Sequence, residues 1–316
     1  MRGIIKELAG VAVLMLLLAG CAAPNGPAGT LQPHQSAAGA TPPTPAIQNT
    51  PNAPDNGAAA TPPPTETPYA FYNETGTTIA TRINPPEGYT RTQGNAYEEF
   101  IRNQELMPHG SPVLLYDGSE KRNQSVHAAV LSIDVGERDR QQCADAALRL
   151  RCEFLFSTGQ YDRINYHLTN GDEFPYTKYR DGYRLKVEGN DASLIRSEGA
   201  DDSYTAFRKY CDILFAYAGT ISVEKESAAI SKEEMRIGDI FVQGGSPGHC
   251  VIVMDMCENA GGDRLFLLGQ SYMPAQQIHI LKNPAADSPW YSVAELSYPF
   301  STPEWTFDAE CLMRMP

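Results

Sequence analysis

The 316-residue sequence has no CxxC, no HExxH and no Cys/His spacing of the kind that holds zinc. Structural and catalytic zinc sites of those types are therefore excluded, and no metal and no cofactor is expected. Basic charge is scarce. Lys and Arg number 25 against 38 Asp and Glu, for a net charge of −13. Arg2 and Lys6 against Glu7, Asp55 and Glu66 leave −1 in the first 68 residues, so −12 falls on the remainder. Such a surface repels phosphate backbones, and no nucleic acid is expected as a partner. Past the N-terminus no apolar run is long enough to span a bilayer. There is no internal repeat. Ser222–Lys225 matches SxxK but lacks a KTG or SDN companion, so it carries no catalytic weight.

The N-terminus is richer. MRGIIKE followed by LAGVAVLMLLLAG is a basic start and a short apolar core, the pattern of a secretory signal. It ends in Leu18-Ala19-Gly20-Cys21, which resembles the lipobox of bacterial lipoproteins. That resemblance implies cleavage before Cys21 and lipid on its sulfur. Residues 1–20 are then a signal peptide, and the protein is extracytoplasmic, with the membrane as a partner through the lipid on Cys21. Residues 22 to 68 are dominated by Pro, Ala, Thr, Gly and Asn, and cannot bury enough surface to offset their ordering entropy. Residues 21–68 thus read as a lipidated cysteine and a disordered tether, with a flexible reach of roughly 40 Å. Residues 69–316 are long enough for one globular domain with a sizeable core.

Six further cysteines, at 143, 152, 211, 250, 257 and 311, permit disulfides outside the cytoplasm. Cys143 and Cys152 share a predicted helix, about 13 Å apart along its axis, and cannot pair. Cys250 and Cys257 share a predicted strand, about 23 Å apart, and cannot pair either.

Periodicity predicts a short strand at TIATRI, a helix over 96–106, and strands at 112–117 and 127–134. A clear helix spans 139–156, with Asp139 as its cap and Cys143 in its first turn. INYHLTNG and YRLKVEGN read as strands. A second amphipathic helix covers 203–220, with Gly219 as its stop. Its stripe of Tyr204, Phe207, Tyr210 and Tyr217 reads as core, and Cys211 as a packed thiol. The last third, from IGDIFVQ through HCVIVMDM and RLFLLGQS to IHILKN, is strand-rich. The fold class is α+β: an antiparallel sheet packed on a cysteine-bearing helix, compatible with a papain-like arrangement.

The stretch GGSPGHCVIVMD sets a histidine at the start of an apolar strand. Alternation places His249, Val251, Val253 and Asp255 on one face and turns Cys250 away from His249. A hairpin turning on Gly261-Gly262 sets Gln270 opposite Val253, on the His249 face. A slip of two keeps that face and a slip of one reverses it. A thiol activated by His249 must then come from elsewhere, and Cys143 at its helix N-terminus is the candidate. The helix end is expected to lower its pKa. Cysteine on a helix, histidine opening a later strand and a polar residue on the next is the order of papain-like hydrolases. Cys143 is the nucleophile, His249 the base and Gln270 the orienter. Gln142 or the Cys143 N–H would hold the oxyanion. His127, which opens another strand, is a rival base. His279 is taken to alternate out of its strand, and His34 and His167 are not favoured. The plain alternative makes His249 a loop-bonding histidine and Cys143 a small packed side chain.

GDIFV, a small loop and GHCVIV resemble the NlpC-type and CHAP-type cell-wall cysteine peptidases. This resemblance implies cleavage of peptide or amide bonds, with peptidoglycan as a partner. In those families a pair such as Ser-Gly follows the cysteine, whereas here Ala144-Asp145 follows. HAAVLSIDVG, RQQCADAALRLRCEF, GDIFVQGGSPGHCVIVMDM and GQSYMPAQQIHILKNP resemble, over roughly residues 80 to 315, an uncharacterised bacterial lipoprotein family, domain of unknown function forty-eight forty-six. It implies one extracytoplasmic domain and supplies no reaction. The second functional reading is a non-catalytic envelope protein that binds glycan, peptide or a protein partner. Its surface would be Gly244, Gly245 and Ser246 with Tyr272, Met273 and Trp290.

Overall fold

Antiparallel pairing organises the chain around one long strand, His249–Asn259. The structure is a computed structural model and describes residues 70–316. The signal peptide, Cys21, the tether and Tyr69 lie outside the described residues. The central strand is buried from His249 to Cys257. Because both of its faces are covered, its sequence is a continuous apolar run rather than an alternation. Ile240–Gln243 pairs on one side and Arg264–Gln270 on the other. The sheet runs His127–Val130, His279–Leu281, Arg264–Gln270, His249–Asn259, Ile240–Gln243, Leu312–Arg314, Ala228–Ala229. Tyr89–Arg91 and Tyr291–Ser292 extend it beside the far end of the central hairpin. The sheet is not closed, and six helices accompany it among the described residues. The class is α+β.

The central hairpin departs from simple alternation. Leu267 pairs with Asp255, but Leu268 pairs with Val253, so a β-bulge at Met254 shifts the register. Two consequences follow. Gln270 moves along to lie opposite Val251, two residues from His249 rather than four. Beyond the bulge Met256, not Asp255, opposes Phe266. Asp255 therefore does not share the His249 face, which corrects the alternation. It turns instead to Arg91 Nε at 2.7 Å and Arg102 Nε at 3.0 Å.

The helix Cys143–Ser157 packs on the central strand. It starts four residues later than the pattern suggests. Gln142 takes the cap position, and its N–H donates to Asp145 Oδ2 at 3.0 Å. Asp139 is no cap: it accepts from Gln142 Nε2 and from the Ala275 N–H. The second helix, Tyr204–Tyr217, begins at Ser203, whose side chain accepts from the Ala206 N–H. Aromatic stacking ties the helical layer together, with Phe156 4.2 Å from Phe207 and Phe174 4.7 Å from Tyr210. Phe207, Tyr210 and Cys211 are buried, but Tyr204 and Tyr217 are exposed, so only the middle of that stripe is core.

Other expectations are corrected. TIATRI is one helical turn, Ile79–Arg82, because Thr78 and Thr81 form a capping box. Residues 112–117 make only isolated bridges, from Leu114 and Leu115. Gly219 does not end a helix but precedes another, Thr220–Glu226. Ser222 bonds Gly219 there, which gives its hydroxyl a capping role. All six described cysteines are free and buried.

Candidate functional site

The start of the central strand gathers the polar groups. His249 is 1% exposed although it is the strand's first residue. Tyr272 covers its ring at 4.9 Å and Trp305 at 5.1 Å, with Phe307 at 6.2 Å. Burial lowers its pKa from 6.5 to about 4; the Gln270 hydrogen bond opposes this and nearby Lys121 adds to it. The imidazole is neutral at neutral pH. Its Nε2 lies 2.9 Å from Gln270 Oε1. An amide oxygen only accepts, so Nε2 carries the hydrogen and Nδ1 is left as the basic nitrogen.

Cys143 is the first residue of its helix and 8% exposed. Its backbone N–H has no intrahelical acceptor at that position. The backbone N–H groups of Ala144, of Cys250 (the residue after His249) and of Cys143 itself favour the thiolate. Burial outweighs them and, with Asp145 nearby, pushes the thiol up to about 11. This corrects the expected depression by the helix end: desolvation exceeds the dipole at a buried terminus. The Cys143 thiol and the His249 imidazole are thus both neutral, and the Cys250 backbone links the start of the strand to Cys143. No hydrogen bond joins thiol and imidazole among the described residues. Gln142 is occupied elsewhere, with its Nε2 donating to Asp139 Oδ1 at 3.0 Å.

The loop 244–248 leads directly into His249. Gly244 N–H donates to Glu224 Oε1 at 2.9 Å, and Ser246 and Pro247 are exposed. Gly248 has no room for a side chain: a Cβ would fall 2.5 Å from Thr220 Oγ1, 2.7 Å from the Gly245 oxygen and 2.8 Å from the Gln243 oxygen. On the candidate binding surface, Tyr272 lies against the His249 ring and Met273 is 62% exposed. Trp290 is not part of it. Its indole is 3% exposed and donates to the Asn84 oxygen at 2.9 Å, which corrects its assignment to a binding surface.

Three residues of the site were missed in the sequence. Glu304 accepts from Gln270 Nε2 at 2.7 Å and from Lys121 Nζ at 2.7 Å. His279 does not alternate out of the sheet. It is 0% exposed, with Nδ1 2.9 Å from the Gln277 oxygen and Nε2 3.4 Å from Gln270 Nε2. Burial lowers its pKa to about 3. Nothing local in TPEW or EKRN signals this role, because Lys121, Gln270 and Glu304 come from three distant parts of the chain. His127 Nε2 lies 3.1 Å from the Ser111 oxygen, and its ring packs edge-on against His279 at 6.1 Å. No cluster of three metal-ligating side chains occurs among the described residues. No helix among them is long and apolar enough to cross a membrane.

Residues 79–314 match the family model described as Domain of unknown function (4846). No curated protein and no solved structure matches the chain.

Proposed function

Because the chain belongs to the family described as a domain of unknown function, a reaction has to be argued from the site, and we propose that it is a cysteine hydrolase of the papain-like kind. Cys143 is the nucleophile, His249 the general base and Gln270 the orienting residue. The observation that carries this reading is the His249–Gln270 hydrogen bond, which puts the hydrogen on Nε2 and leaves Nδ1 as the basic nitrogen of a histidine whose chain neighbour Cys250 turns its backbone N–H to Cys143. The reaction then runs in two steps. The Cys143 sulfur attacks a peptide or amide carbonyl as its proton passes to His249 Nδ1. The carbonyl oxygen takes the negative charge and is held by the Cys143 N–H. His249 returns the proton to the leaving amine, and a thioester remains on Cys143. Water, deprotonated by the same nitrogen, attacks the thioester carbonyl, the C–S bond breaks to release the acid, and His249 returns the proton to the Cys143 sulfur. With the thiol near 11 and the imidazole near 4, proton transfer accompanies the attack instead of preceding it.

The lipobox-like Cys21 and the tether composition support an extracytoplasmic, membrane-anchored protein. With the resemblance to cell-wall peptidases, they make peptidoglycan peptides the substrate class to try first. The test uses the full chain in detergent with peptidoglycan stem peptides, with products read by mass spectrometry. Cleavage that disappears in Cys143→Ala, with the circular dichroism spectrum unchanged, supports the reading. Cleavage that persists in Cys143→Ala sinks it.

A second reading has one observation in its favour. The Cys143 thiol is held in its neutral form and makes no hydrogen bond to His249. In this reading the domain binds glycan or peptide between the 244–248 loop and Tyr272–Met273 without turning it over. Binding of the same peptides, unaltered by Cys143→Ala and unaccompanied by product, would favour it.

A further inference from the structure

Gln270 can orient His249 in a useful way only if its amide is held one way round. An amide has an oxygen at one side and an NH2 at the other, nearly equal in size. Flipped, Gln270 would present NH2 to His249 Nε2, which would then have to accept. The hydrogen would move to Nδ1, and the nitrogen needed as a base would be blocked.

The surroundings decide the flip through groups that have no choice of role. Lys121 Nζ only donates, and it bonds Glu304 Oε1 at 2.7 Å. The Glu304 carboxylate only accepts, and its Oε2 lies 2.7 Å from Gln270 Nε2. The pair is mostly shielded, with Lys121 8% and Glu304 14% exposed at the side chain. The NH2 of Gln270 must therefore face Glu304, so its oxygen faces His249. His279 agrees. The Gln277 carbonyl oxygen accepts from His279 Nδ1, which leaves His279 Nε2 as an acceptor 3.4 Å from Gln270 Nε2. That contact is longer and uncharged, so the carboxylate is the stronger determinant.

We propose that Glu304, held in place by Lys121, is a positioning residue that sets the tautomer of His249 through Gln270. The chain of fixed polarity runs from ammonium to carboxylate to amide to imidazole and ends on a bare Nδ1. This deepens the hydrolase reading and rests on it for its catalytic meaning, but the tautomer itself can be measured without any substrate.

The experiment is nitrogen-15 NMR of the histidine rings in the full chain at neutral pH, with His249 assigned from the signal lost in His249→Asn. The wild type is expected to show His249 as the Nε2–H tautomer alone. In Glu304→Gln the carboxylate constraint is gone, because a glutamine at 304 can donate to the Gln270 oxygen. Loss of a charge-assisted hydrogen bond shifts the flip equilibrium by about tenfold or more. An Nδ1–H population of His249 should then appear. If Glu304→Gln does not fold, the double variant Lys121→Met with Glu304→Leu removes the ion pair with a volume-matched apolar one and should show the same gain. An unchanged Nε2–H tautomer in whichever variant folds overturns the proposal. A purely structural role for Glu304 would lower the melting temperature and leave the tautomer alone. Persistent cleavage in Cys143→Ala would defeat the hydrolase reading while leaving the tautomer result intact, so the two failures are distinguishable.

Discussion

Two neutral histidines in the interior make the fold sensitive to acid in a window that can be calculated. His249 falls from 6.5 to about 4 and His279 from 6.5 to about 3, both chiefly through burial. In the unfolded chain each takes up a proton below about 6.5, while in the folded chain it does not until far lower. The unfolded state therefore binds more protons in that window, and stability falls as pH falls through it. For His249 alone, going from about pH 7.5 to about pH 4.5 removes about 2.5 kcal/mol. Total stabilities are about 5–15 kcal/mol, so the loss is large enough to read. Buried carboxyls such as Asp145, whose pKa burial raises well above its usual value, act with the opposite sign. The wild-type curve alone is consequently not diagnostic, and a comparison is needed. Urea unfolding, followed by the fluorescence of Trp290 and Trp305, would be run on wild type and His249→Gln at both pH values. The variant should lose about 2–3 kcal/mol less than the wild type across the window. Equal losses in the two proteins would refute the premise that His249 is held neutral by burial.

Other outcomes follow from single contacts. Asp255→Ala leaves Arg91 and Arg102 without their shared carboxylate and should lower stability by about 3–5 kcal/mol in denaturant titration. Phe207→Ala removes the ring stacked on Phe156 and should lower stability by about 3–5 kcal/mol in the same titration, with little effect on the His249 tautomer. Gly248→Ala would drive a Cβ into two backbone oxygens, so the loop before His249 must move; the His249 ring signals should shift, and unshifted signals would contradict the contact. Iodoacetamide at neutral pH should label Cys143 slowly, with the rate still rising toward pH 11; a plateau near pH 7 would show that burial does not control this thiol.

Much of this protein was readable from its residues in order. The apolar run after His249 had to be a buried strand, because Val251-Ile252-Val253 are β-branched and no polar residue interrupts them before Asp255. The Cys143 helix was legible from its repeating stripe, and Gln270 from its place on the strand after the turn. What period alone could not supply was the bulge at Met254. One extra residue in the ladder sent Asp255 to the arginines and slid Gln270 alongside His249. A local pattern carries no term for a residue that drops out of register. Nor could it say that Cys143's helix end is buried, which reverses the expected direction of its pKa, or that Trp290 is spent on Asn84. Least readable of all was the Lys121–Glu304 pair, because donor and acceptor roles become fixed only when side chains from three remote segments close on one amide. The order of residues determined which groups lie on the strands and helices. Tertiary packing decided which of them are dry and which way round Gln270 is held, since both depend on neighbours that are distant in sequence.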